Sequence, residues 1–185
     1  MAVARRATVH PSGIAQECST TYPMLESHLK KSGAEKDGHY YCIYYFFTPL
    51  LTRMELGVPF KLSSPDKTVP EDSANGIIVV DRPDVNAAAM WHIGPYQKLG
   101  DTYKALCEWI RSQGKSPGSL MFEEYYTNPM EEKDPAKYRT RVAERALAKV
   151  LLCVLNDTEA RPDFMGCVFP ELRHVGQWAE AERKR

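Results

Sequence analysis

Two adjacent glutamates lie among aromatic residues in segment 119–129. Side chains alternate along a strand, so one face would carry Phe122, Glu124 and Tyr126 and the other Met121, Glu123 and Tyr125. A carboxylate held between two rings on one face suits a pocket for an apolar, cationic or electrophilic small molecule. The alternative is an edge strand with solvated glutamates, since half-buried antiparallel strands commonly wet one face. Spacing alone leaves both interpretations open.

Three roles are open to Glu124. Desolvation in an aromatic pocket would raise its pKa, and it could then act as a general base that activates water against an electrophilic ligand. Tyr126 or Trp91 would stack on the substrate or hydrogen-bond the developing anion. Alternatively, Glu124 is the counter-ion of a cationic ligand, with cation–π attraction of ~1–2 kcal/mol from the rings. The third role is structural, as an ion pair with a neighbouring arginine such as Arg141.

Composition narrows the class of protein. The chain has 185 residues and a formal net charge of +0, so we expect no nucleic-acid partner. It contains no apolar signal core and no stretch of membrane-spanning length, which favours a cytoplasmic protein with no membrane partner. The 5 cysteines are dispersed and the histidines lack metal-ligand spacing, so we expect reduced thiols, no metal and no cofactor.

The first half of the chain predicts strands and one helix. We expect a strand at 7–9 that breaks and resumes at 14–19, then a helix over 21–31. Two strands follow, at 39–47 and 53–61. Segment 62–75 carries two prolines and almost no large apolar residue, which predicts a linker.

The same order then begins again. We expect a strand at 76–80 that resumes at 85–92, and a helix that opens at Gly94-Pro95 and closes at Gly114. A strand at 119–126 and a last strand from Arg139 complete this half. Leu25 and Leu29 of the first helix correspond to Leu106 and Ile110 of the second.

The repeated order predicts an α+β fold. It is a tandem duplication of a strand-helix-strand-strand unit, with an antiparallel sheet, two helices on one face and a central ligand pocket. The units span about 3–61 and 76–143. Aligning the aromatic strands matches Tyr44 with Glu124 and Phe46 with Tyr126, so we expect these four side chains to line the pocket on the face opposite the helices.

Several segments, taken in order, resemble the GyrI-like small-molecule-binding domain. They are Met-Glu-Leu-Gly-Val-Pro at 54–59, Ala-Met-Trp-His-Ile-Gly-Pro-Tyr at 89–96, Leu-Cys-Glu-Trp-Ile at 106–110, Glu-Tyr-Tyr-Thr-Asn-Pro at 124–129 and Tyr-Arg-Thr-Arg-Val at 138–142. The resemblance covers about residues 3–143. It implies paired strand-helix-strand-strand units and a pocket, with a glutamate at its base, for bulky and often cationic or aromatic compounds.

The resemblance also implies candidate residues. Glu124 stands at the position of the pocket glutamate, Glu55 at that of the first-half strand glutamate, and Trp91 where pocket aromatics occur. Glu123 points the other way from Glu124, so we expect it to be structural or solvated.

The family includes effector domains of multidrug-sensing regulators, gyrase-inhibitor-like proteins and hydrolases of cyclopropanoid toxins. No helix-turn-helix sequence precedes the domain, so we expect detoxification rather than sensing. The two hypotheses are hydrolysis, with Glu124 and Tyr126 as catalytic residues, and non-enzymatic binding or gyrase inhibition.

The remaining predictions concern secondary positions and the C-terminal part. Phe122 is expected to line the pocket, whereas Trp109 lies beside the buried helix stripe and is either core or a ligand contact. We divide the chain into a domain at 1–143 and an extension at 144–185. An amphipathic helix is expected over 143–155, as a packing helix or a homodimer contact, followed by irregular structure.

Overall fold

The computed structural model describes residues 1–64, 66–82, 87–148 and 179–180. The elements are β1 (Ala2–Val9), α1 (Ile14–Lys31), β2 (Ala34–Lys36), β3 (Tyr40–Phe47), β4 (Thr52–Leu62), β5 (Ile77–Val80), β6 (Ala87–Ile93), α2 (Leu99–Ser112), β7 (Lys115–Tyr125), β8 (Arg139–Ala148) and β9 (Ala179–Glu180). Single 3-10 turns precede both helices and β8. The fold is α+β, as predicted.

Eight antiparallel strands form the sheet, in the order β5-β1-β4-β3-β7-β8-β6 with β2 paired to β4. The short β9 pairs in parallel with β6. The order is symmetric about the central β3–β7 pair, where Cys42 lies opposite Glu123. Among the three long strands of each half (β1, β3 and β4, then β6, β7 and β8), the first lies farthest from the central pair and the last lies between the other two.

Both helices pack on the same side of the sheet. Leu25 and Leu29 of α1 pack against β1 and β4, and Leu106 and Ile110 of α2 pack against β6 and β8. These four side chains are at most 2% exposed, as expected for stripes at helical spacing. We call this side of the sheet the helix face and the opposite side the far face.

Three predicted elements differ from the structure. Residues 14–19 are the start of α1 rather than a strand, since Ile14, Cys18 and Tyr22 contact the sheet at helical spacing. Strand β5 does not open the second unit but pairs with β1, where it covers an edge of the first. Residues 143–148 continue β8 rather than begin a helix, because β7 starts at Lys115 and offers that segment a backbone partner. The rest of the expected helix lies outside the described residues.

Candidate functional site

The centre of the helix face is a buried carboxylate surrounded by tyrosines. Glu123 of β7 is only 4% exposed. Three hydroxyls donate to its oxygens: Tyr125 at 2.5 Å, Tyr103 at 3.1 Å and Tyr44 at 3.4 Å. We call Glu123 and these tyrosines the Glu123 cluster. It joins both halves of the fold, because Tyr44 comes from β3 and Tyr103 from α2.

Further aromatic rings from the helix side enclose the Glu123 cluster. Tyr22 of α1 and Tyr96, in the turn before α2, both lie edge-on to the Tyr125 ring, with centroids 6.2 and 5.8 Å away. Cys18 packs in the same apolar group. Burial raises the pKa of the Cys18 thiol to about 12, so this cysteine is a poor nucleophile.

Burial also raises the pKa of Glu123, and the three hydroxyl bonds oppose that rise. The pKa values of Tyr44, Tyr103 and Tyr125 are raised too, first by burial and then by the neighbouring carboxylate. No lysine, arginine or histidine of the described residues forms an ion pair with Glu123. A desolvated carboxylate with only neutral donors can accept a proton or a cationic ligand.

Glu124, the expected pocket glutamate, lies on the far face. Its Oε2 is 2.5 Å from the Arg141 guanidinium and 3.4 Å from the Tyr126 hydroxyl. Trp91 is nearby, edge-on to the Tyr126 ring at 4.6 Å. The structure therefore brings together Glu124, Tyr126 and Trp91 as predicted, and it contains the ion pair to Arg141 that was the structural alternative for Glu124.

Glu55, the other predicted glutamate, is fully buried on the far face. Arg6 and Arg82 form ion pairs with its carboxylate. Tyr41 and Tyr45 donate hydroxyls at 3.2 and 3.0 Å. The Tyr41 ring lies over Gly57, where an added Cβ would collide with it. Glycine at 57 is therefore required for Tyr41 to reach Glu55.

The predicted grouping of Tyr44 with Glu124 is wrong. Tyr44 pairs with Met121 and contacts Glu123, so it lies on the helix face, whereas Phe46 pairs with Arg53 on the far face. The error is one residue of alignment. The chain offset that relates Leu25 to Leu106 relates Tyr44 to Tyr125, not to Glu124, and a slip of one residue exchanges the faces of a strand.

Phe122 and Trp109, the two remaining predicted ligand contacts, lie on opposite faces of the sheet. Phe122 lies on the far face, where its ring stacks on Tyr41 with a centroid distance of 5.8 Å. Trp109 packs against the buried group of α2 and the sheet, in line with its core interpretation. Nothing in the described contacts tests the predicted ligand roles of these side chains, and those roles stay predictions.

Sequence reasoning missed Glu123 as a site residue and predicted it to be structural or solvated; the structure excludes the solvated state. A signal was present. Tyr103 falls on the buried stripe of α2, and a buried tyrosine hydroxyl needs an acceptor on the strand that the helix covers. Glu123 is on the β7 face opposite that of Glu124. The helical spacing that buries Tyr103, taken with the side-chain alternation of the strand, would have identified Glu123 as the acceptor.

Neither an activated cysteine nor a cluster of metal-ligating side chains occurs among the described residues, since burial raises the pKa of Cys18, Cys42 and Cys107. His92 is hydrogen-bonded to Thr102 and the Pro95 carbonyl, and the Cys107 thiol donates to Glu144, so the His92 ring does not activate that thiol. No cluster of three metal-ligating side chains occurs among the described residues. None of their helices has the length and apolar character needed to cross a membrane.

Comparison with known proteins relates the fold to a family. The family model of the GyrI-like small molecule binding domain matches residues 5–143. A search of curated proteins found no match to the sequence.

Two of the solved structures that are similar to this chain are structures of EcmrR. The EcmrR C-terminal domain has a TM-score of 0.66 at 17% identity, covering 80% of this chain and 90% of that one. The EcmrR chain in the cryo-EM structure of an EcmrR–DNA complex has a TM-score of 0.65 at 16% identity and again covers 80% of this chain. This chain spans only 53% of that EcmrR chain.

Proposed function

Because the chain belongs to the GyrI-like small molecule binding domain family, we propose that it binds bulky aromatic cations at the Glu123 cluster. One observation carries the proposal: Glu123 is buried beside neutral hydroxyls and has no ion-pair partner among the described residues. A bound cation would offset the cost of burying that charge. The surrounding tyrosine rings would add cation–π attraction of about 2 kcal/mol in a desolvated site.

Binding requires local opening of the helix face. With Glu123 only 4% exposed, a ligand reaches the carboxylate only if α1 and α2 separate or the tyrosine side chains turn. Tyr22, Tyr96 and Tyr103 come from the helix side and would move with it. The β-sheet residues Tyr44 and Tyr125 would form the floor that remains in place.

The experiment compares crystal violet, a triaryl cation, with its uncharged leuco form by equilibrium titration. Glu123→Gln keeps the shape but removes the charge, so cation affinity should fall at least about tenfold, since hydrogen bonds and ion contacts to charged groups contribute about 1.5–3 kcal/mol. The leuco form should be unaffected. Glu124→Gln is the matched control on the same strand and should bind like the parent protein. Loss of cation binding in Glu124→Gln alone would place the site on the far face and refute the proposal.

Hydrolysis of electrophilic cyclopropanoid compounds is a second proposal, favoured by the raised pKa of Glu123. The base proposed from sequence, Glu124, is engaged by Arg141, and Glu55 by two arginines. Glu123 is therefore the better candidate to take the proton of an attacking water. Mass spectrometry of the products should show turnover that Glu123→Gln abolishes and Glu124→Gln retains. Stoichiometric binding with no hydrolysed product would refute hydrolysis and leave ligand binding as the function.

A further inference from the structure

The far face concentrates the arginines of a chain with a formal net charge of +0. Strand alternation and contacts assign to this face Arg6, Arg53, Arg82, Arg139, Arg141 and Arg145. Within strands β1 to β8 its carboxylates are Glu35, Glu55 and Glu124, three against six arginines. Glu55 and Glu124 form ion pairs with Arg6, Arg82 and Arg141, which leaves Arg53, Arg139 and Arg145 with no ion pair to any described residue. The far face is thus positive although the whole chain is neutral.

Exposed aromatic side chains lie between these arginines. Tyr45, Phe46 and Trp91 are 37%, 48% and 37% exposed. The Arg139 guanidinium lies 4.9 Å from the Trp91 ring, and it forms no ion pair with any described residue. Its donors are available to an anion, while Trp91 offers part of its ring as a stacking surface.

We propose that the far face binds single-stranded nucleic acid, with bases stacked on Trp91, Tyr45 and Phe46 and phosphates bound by the arginines. Proteins that bind single strands combine a positive surface with aromatic rings on which bases stack. Arg6 on β1 and Trp91 on β6 are five strand spacings apart, or about 24 Å, which is room for several nucleotides. An acidic protein would bind the arginines but would leave the exposed aromatic rings without a partner. The bases of a duplex are already stacked on one another, so they could not stack on these rings. The proposal is independent of the Glu123 cluster, which lies on the other face.

The test is a fluorescence-anisotropy titration of the full chain with a labelled, mixed-sequence 15-nucleotide DNA strand. Three or four neutralised phosphates predict a log–log salt slope of about −2 to −3, so raising NaCl from 50 to 200 mM should weaken binding roughly 20- to 60-fold. Trp91→Ala should weaken binding roughly tenfold through lost stacking. Trp91→Phe keeps a stacking ring and should retain most of the affinity, and Arg139→Ala should make the salt slope shallower by about one.

The control is Arg111→Ala, which removes an exposed arginine of α2 outside the far face and should leave the affinity unchanged. Thermal melts of each variant verify that it is folded. The proposal is overturned by no binding at 50 mM NaCl, or by equal weakening in Arg111→Ala and Arg139→Ala. It is also overturned if polyglutamate of equal charge competes as well as the unlabelled oligonucleotide, because the partner would then be an acidic protein.

Discussion

Glu55 and Glu123 are both buried, one in each half of the fold, at 0% and 4% exposure. Glu55 faces two arginines and two tyrosine hydroxyls on the far face. Glu123 faces three tyrosine hydroxyls on the helix face, with no ion-pair partner among the described residues. A neutralised carboxylate holds its surroundings together, whereas one without a counter-charge is costly to bury. The contrast supports the binding role that we propose for Glu123, and it favours a structural role for Glu55.

The largest expected effect is that of Glu55→Gln on stability. The substitution leaves Arg6 and Arg82 beside a neutral amide. Breaking a fully buried pair costs about 3–5 kcal/mol, and the partial exposure of both arginines reduces our expectation to about 2 kcal/mol. Urea unfolding at pH 7.5 measures the loss. Glu123→Gln should cost less, because it also removes a desolvated charge. Equal losses in the two variants would contradict the contrast between the sites.

Removing single hydroxyls from the Glu123 cluster should give a graded loss of stability. Tyr125→Phe should cost about 1–2 kcal/mol, Tyr103→Phe less and Tyr44→Phe least, since the hydroxyl distances lengthen in that order from 2.5 to 3.4 Å. Urea unfolding again provides the measurement. Tyr96→Phe is the matched control, because Tyr96 contacts the Tyr125 ring but none of the described hydrogen bonds joins it to Glu123. An effect of Tyr96→Phe as large as that of Tyr125→Phe would argue against the hydroxyl bonds as the cause.

The pH dependence of stability should separate Glu123→Gln from the parent protein. Burial raises the pKa of Glu123, so the folded state binds its proton more tightly than the unfolded state does. The associated stability is fully present below the unfolded pKa of about 4.3 and is lost as pH rises through the folded pKa. Each tenfold difference in proton affinity between the two states corresponds to about 1.4 kcal/mol. Thermal melts from pH 4 to pH 8 should show this loss in the parent and not in Glu123→Gln, and parallel curves would contradict the raised pKa.

Glu124→Gln should have the smallest effect. Both partners of the Glu124–Arg141 pair are about one-fifth exposed, so the pair is partly screened by solvent. We expect a loss of at most about 1 kcal/mol in urea unfolding and no change in cation binding. A loss larger than that of Glu55→Gln would reverse the ranking of the two far-face carboxylates.

Much of the fold could be predicted from local patterns. The strongly aromatic segment at 39–47 contains β3, and the stripe from Leu106 to Ile110 is the buried side of α2. Segments whose patterns fit either a helix or a strand were assigned to the wrong element. Residues 14–19 were too short a run to distinguish a strand from the first turns of a helix, and residues 143–148 are a strand only because β7 provides a partner.

The candidate site was harder to predict because it depends on register. The sequence predicted a carboxylate among aromatic residues on the strand at 119–126, and it placed Trp91, Glu124 and Tyr126 together. It predicted the site at Glu124, whereas we propose it at Glu123, and the alignment of Tyr44 with Glu124 slipped the repeat by one residue. The register of β3 against β7 fixes which face each glutamate occupies, and that register depends on the packing of both halves.

The sequence by itself determined the α+β class, most of the helices and strands and a glutamate-aromatic strand at the centre, because these follow from hydrophobic periodicity and from short motifs along the chain. Only the tertiary structure decided which carboxylates are neutralised. Ion pairs such as Glu55–Arg82 and Glu124–Arg141 join residues distant in sequence, and α2 brings Tyr103 to Glu123 from another element. The distribution of charge also depends on the tertiary structure. Composition gives only a formal net charge of +0, whereas folding places several arginines together on the far face.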